Sequence, residues 1–92
     1  MSNENNTPLS DRCDILAELW MQYKHNPEFL DFISYNDLGL PLAYAVSHGI
    51  VEINDQLEMF INETWSLLLD ALSIEDTGFE TLEDVLDNID KD

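Results

Sequence analysis

Apolar residues in this chain recur at helical spacing, and polar or turn-forming residues break the recurrence at four places. Ile15, Leu16, Leu19, Trp20 and Tyr23 share one side of a helix that Ser10 or Asp11 is placed to cap. Asn26 and Pro27 then supply a cap and a first-turn proline for a short second helix turning Phe29, Leu30, Phe32 and Ile33 inward. Asn36, Gly39 and Pro41 mark the next boundary. The run Leu42-Ala43-Tyr44-Ala45-Val46 predicts a helix covered on most sides, with Gly49 as a left-handed stop and Ile50 to Ile53 as an extended connector.

From Asn54 or Asp55 the longest element begins, carrying Leu57, Phe60, Ile61, Trp65, Leu68 and Leu72 on one face and Glu58, Asn62, Glu63 and Ser66 on the other. Residues 73 to 78 interrupt it. Thr81, with Asp84 three residues later, resembles a capping box opening a last helix, whose Phe79, Leu82, Leu86 and Ile89 keep an apolar stripe that should dock on the rest. The expected fold is an all-α bundle of four or five short helices. Residues 1–9 are expected as a flexible arm and 10–92 as one acidic helical domain, with Leu19, Trp20, Phe32, Tyr44, Phe60, Ile61, Trp65 and Leu68 in its core.

Composition supports a packed core. Of 92 residues, 45 % are hydrophobic, including two Trp, three Tyr and four Phe, which separates this chain from a disordered acidic tail. The charge is the unusual quantity. Twenty Asp and Glu face three Lys and Arg, for a net charge of -17, which argues against direct contact with nucleic acid or an anionic membrane surface. No apolar run approaches the roughly 20 residues of a membrane helix, the polar opening does not resemble a secretory signal, and Cys13 stands alone. A cytoplasmic, reducing setting is expected, and the Asn-x-Thr triplets at Asn5 and Asn62 then carry no meaning.

The block Tyr35-Asn36-Asp37-Leu38-Gly39-Leu40-Pro41-Leu42-Ala43-Tyr44, followed by Phe60-Ile61-Asn62-Glu63-Thr64-Trp65 and Asp76-Thr77-Gly78-Phe79-Glu80, resembles small acidic proteins of unassigned function carried by bacteriophages, particularly those of marine cyanobacteria. The resemblance spans about residues 14 to 86. It implies no catalytic residue. What it implies is a setting, the cytoplasm of an infected host, in which a small inhibitor or adaptor acts on host machinery.

Patterns for catalysis or metal binding are weak. Laying residues 73–84 on a calcium loop with Gly78 in the sixth position puts Ser73 where a carboxylate is needed, Glu80 where an apolar residue is needed, and Asp84 in place of a bidentate Glu. One Cys and two separated His, His25 and His48, do not make a zinc site. No nucleophile elbow is present, and Cys13 reads as an unreactive helix thiol. The chain is read as a non-enzyme without cofactor or metal.

The carboxylates supply the functional reading. For a compact chain of this length, -17 amounts to about one charge per 1.9 Å of diameter, beside about one per 1.7 Å of duplex axis. Glu80, Glu83, Asp84 and Asp87 recur at i, i+3, i+4 and i+7, a repelling stripe that a basic partner would relieve. The expected function is a small protein-binding module, in the manner of a DNA-mimicking inhibitor, occupying the basic surface of a nucleoid protein, nuclease or polymerase subunit. Glu75, Asp76, Glu80, Glu83, Asp84 and Asp87 form the expected contact surface, with Glu58 and Glu63 as a second row. Two other classes stay open: a structural or assembly protein forming a homo-oligomer, and an adaptor or regulator of a host enzyme. The protein itself is expected as a monomer or homodimer.

Overall fold

In a computed structural model, which describes residues 7–76 and 78–90, the chain folds into five helices: α1 (Leu9–Tyr23), α2 (Pro27–Asn36), α3 (Leu40–Ser47), α4 (Asp55–Leu72) and α5 (Leu82–Asp90). No strand occurs among the described residues. The side chains of residues 88–90 are not described, so the place of Ile89 in the apolar stripe lies outside the described residues. The molecule is flattened, 36 × 33 × 20 Å, with a radius of gyration of 12.6 Å.

Local chemistry explains most boundaries. The Asn26 side chain accepts the Phe29 N–H at 3.1 Å ahead of Pro27, and Asn54 accepts the Leu57 N–H at 2.9 Å, so both caps fall where the sequence places them. Gly49 takes φ 73° and closes α3, with its N–H on the Val46 carbonyl and the Ile50 N–H on that of Ala45. Two other stops use residues that carry a Cβ. Asp37 (φ 60°) ends α2 and Ser73 (φ 59°) ends α4, each in the left-handed region and each followed by a residue whose N–H returns to the helix.

α1 is the centre of the packing. It lies most extensively on α3 and also meets α4 and α5, while α2 touches α4. Ile15 and Leu16 of α1, Leu40 and Ala43 of α3, Ile61, Trp65 and Leu68 of α4 and Val85 of α5 form a sealed centre. Phe79 and Leu82 seal its lower edge, so the last helix docks through the expected stripe, with Val85 added to it.

Several expectations need correction. α1 begins at Leu9 rather than behind a Ser10 or Asp11 cap: Pro8 precedes it in extended geometry and its carbonyl accepts the Arg12 N–H at 2.9 Å. Thr7 is buried, so residues 7–9 belong to the packed domain and not to an arm; residues 1–6 lie outside the described set. α2 buries no residue completely, and Leu30 is exposed. α3 seals only Leu40 and Ala43, with residues 44–46 half-buried. Phe60 is 37 % exposed, with one edge of its ring set against Gly39, where an added Cβ would collide with it, so the ring covers the α2–α3 junction from outside. Ile50, Val51 and Ile53 are exposed in an irregular connector.

Candidate protein-binding surface

The first question about any carboxylate here is whether the scaffold already uses it, and Asp76 is used. The Thr7 N–H donates to both of its oxygens at 3.0 and 3.1 Å, the Thr7 hydroxyl donates to Oδ1 at 2.6 Å, and the Gly78 N–H donates to Oδ1 at 3.1 Å. The Trp65 indole N–H reaches Oδ2 at 3.0 Å, and the Arg12 Nη2 stands 3.5 Å from the same atom. Thr7 Oγ1 in turn accepts the Phe79 N–H at 2.9 Å, which ties residue 7 to the start of the last segment. Burial by itself pushes the Asp76 carboxyl up. The hydrogen bonds from the Thr7 hydroxyl, the Gly78 and Thr7 amides and the Trp65 indole outweigh it and hold the group below the ordinary carboxylate value. Asp76 is thus a scaffold residue, and the expected contact surface loses it.

Arg12 is consumed by the same network. Its Nη1 donates to Asn62 Oδ1 at 2.6 Å, and its guanidinium lies 5.9 Å from the Trp65 ring centroid. Only the buried Nε has no partner. Asn62, half-buried, and the buried Thr64 are therefore parts of the folded interior edge. The pair Arg12–Asp76 is the one ion pair among the described residues, and it neutralises the scaffold rather than the surface.

What remains at the surface is acidic. Every other described carboxylate whose exposure is given is exposed, apart from the half-buried Asp11. Glu75 and Glu80 sit in the loop before α5, Glu83, Asp84 and Asp87 on α5, and Glu58 and Glu63 on α4. The stripe is shorter than its spacing suggests, because α5 starts at Leu82 and Glu80 precedes it. Asp84 is engaged in starting the helix: its Oδ2 accepts the Glu80 N–H at 3.2 Å, and its own N–H reaches Thr81 Oγ1 at 3.3 Å. Glu58 and Glu63 do not form a row, since five residues at about 100° each put them about 140° apart around α4.

A carboxylate that sequence spacing did not single out joins the surface. Glu18 of α1 lines a shallow cleft together with Glu83 of α5, and Gln22, Thr81, Leu82 and Leu86 complete it. The helix periodicity places Glu18 on the solvent side of α1, but only the α1–α5 packing brings it to Glu83. On the same helix Asp14 accepts the Ser47 hydroxyl at 2.8 Å.

The remaining candidate groups are quiet. Cys13 is buried, and burial first, then the charge of Asp14, raise its thiol above the ordinary value, which keeps it protonated. His25 is exposed in the α1–α2 turn, and His48 caps α3 with its ring 4.2 Å from that of Tyr44. Among the described residues, no three His, Cys, Asp or Glu stand together in an arrangement fit for a metal, and no helix is long and apolar enough to cross a membrane. Compared with known proteins, the chain matches no family model, no curated sequence and no solved structure.

Proposed function

We propose that this protein is a small binding module that presents an uncompensated acidic surface to the basic surface of a nucleic-acid-binding protein, in the manner of a DNA-mimicking inhibitor. One observation carries the reading: Arg12 is drawn into the scaffold by Asp76, while Glu18, Glu58, Glu63, Glu80, Glu83 and Asp87 stand exposed at the surface. Spread along the 36 Å axis, -17 is about one charge per 2.1 Å, close to the roughly 1.7 Å of duplex DNA. Like charges at this density destabilise a compact fold, and a cationic partner offsets that cost and is steered in quickly. The setting that goes with this proposal is the cytoplasm of a phage-infected host.

The test uses immobilised protein and a cell lysate at low salt, eluted by a salt gradient, with duplex DNA as competitor. Basic nucleic-acid-binding proteins should elute with salt and be displaced by the DNA; acidic enzymes that ignore the DNA would overturn the reading. Replacing Glu80, Glu83 and Asp87 by Gln, Gln and Asn, while leaving the capping Asp84, should keep the fold, weaken capture and flatten its salt dependence.

A second reading has its own support. Tyr35 (90 % exposed), Met59 (73 %) and Ile50 (67 %) are large apolar side chains in solvent, as a self-associating or enzyme-binding adaptor would present. Mutual repulsion of two copies at -17 each works against self-association at low salt.

A further inference from the structure

Between α1, α2, α4 and α5 the bundle leaves an open apolar groove of about 250 Å³. Leu19 and Tyr23 of α1, Phe29 and Phe32 of α2, Leu72 of α4 and Leu86 of α5 line it, and no charged side chain does. It exists because α2 packs only by half-buried side chains, Phe29, Phe32 and Ile33, with Tyr23 and Phe29 rings 5.2 Å apart and Phe29 and Phe32 6.0 Å apart, and makes little contact with α5. The groove falls below the roughly 300 to 1,000 Å³ of most small-molecule pockets and suits one bulky side chain better than a whole ligand.

Its surroundings specify the chemistry of the occupant. Leu82 and Leu86 line both the groove and the cleft of Glu18 and Glu83, so the apolar and acidic sites are continuous. Tyr23 also joins the groove to a shallow surface lined by His25 and Glu28, which meets the Glu18–Glu83 cleft at Gln22. An apolar slot flanked by carboxylates is complementary to an amphipathic helix that carries one large apolar residue among Lys and Arg. A fatty acid or other anionic amphiphile would meet repulsion instead.

We infer that this groove receives a bulky apolar anchor from a basic amphipathic helix of the partner, with Glu18, Glu83 and Glu28 taking the flanking cations. The inference rests on the proposed binding of a basic protein, and it adds where specificity resides: charge brings the partner in, and the anchor holds it.

The test uses four labelled synthetic peptides: a Lys-rich amphipathic helix with a central Trp, the same peptide with Ala in its place, an unstructured Lys peptide of equal charge, and the Trp peptide with Lys replaced by Gln. The Trp-anchored cationic peptide should bind at least about tenfold tighter than its Ala counterpart, and should shift the methyl resonances of Leu72, Val85 and Leu86 in the unmodified protein. Leu86→Gln should remove most of that advantage without changing binding of the unstructured Lys peptide, and its melting curve reports whether the fold is kept. Equal binding of the Trp and Ala peptides with unmoved methyls would overturn the groove while leaving the acidic-surface reading in place. Failure of every cationic peptide to bind would overturn both. Equal binding by the Gln-substituted Trp peptide, or methyl shifts that follow protein concentration without peptide, would assign the groove to a neutral ligand or a second copy and overturn the inference.

Discussion

α1 and α2 are neighbours in sequence with comparable apolar content, yet α1 seals Cys13, Ile15, Leu16, Ala17 and Leu19 while α2 seals nothing. The difference lies in their partners. α1 is flanked by α3, α4 and α5, so its apolar side chains meet atoms from several directions; α2 leans chiefly on α4, with Phe29 against Tyr23 of α1, and its rings face an open groove. An amphipathic pattern is necessary for burial, but burial is completed only by the elements that close over it. The open side of α2 is also where the carboxylate-flanked groove lies, so the least complete packing in the molecule coincides with the surface proposed for a partner.

The largest expected effect breaks the well-packed side. Trp65, 2 % exposed, fills the centre of α4 and donates to Asp76, so Trp65→Ala should cost about 3 to 5 kcal/mol in urea unfolding, enough to unfold much of a small domain. A cost below about 1 kcal/mol would show that the α1–α4 interior is not the stabilising region.

Next comes the polar tie beside it. Asp76→Asn places an NH2 group among donors from Thr7, Gly78 and Trp65 and should cost about 1.5 to 3 kcal/mol at neutral pH. The Asp76 carboxyl is depressed in the folded state, so its stabilisation is fully present above the unfolded value near 3.9 and is lost as pH falls through the folded value. The gap between native protein and variant should therefore be widest near neutrality and shrink below about pH 4. A gap independent of pH would show that shape rather than charge sets the contribution of this residue.

The smallest effect belongs to α2. Phe32→Ala removes a half-buried ring and should cost roughly 1 to 2 kcal/mol, and α2 amides should exchange with solvent at lower protection than those of α4. Equal protection of the two helices would remove the contrast between them.

The chain's own pattern determined the all-α architecture, the caps at Asn26 and Asn54, the stop at Gly49 and the inward positions of Leu19, Ile61, Trp65 and Leu68, because each depends on residues within one or two helical turns. The acidic character of the surface was equally legible, since the scarcity of Lys and Arg is independent of conformation. Tertiary structure decided the rest. Asp76 reads like its acidic neighbours until Thr7, 69 residues away, and Arg12 converge on it. Phe60 keeps the core spacing of α4 but meets Gly39 at the surface, and Glu18 pairs its cleft with Glu83 only through the docking of α5. Periodicity specifies the direction in which a side chain leaves its helix; which atoms wait there is set by contacts distant in sequence, whose geometry no local pattern contains.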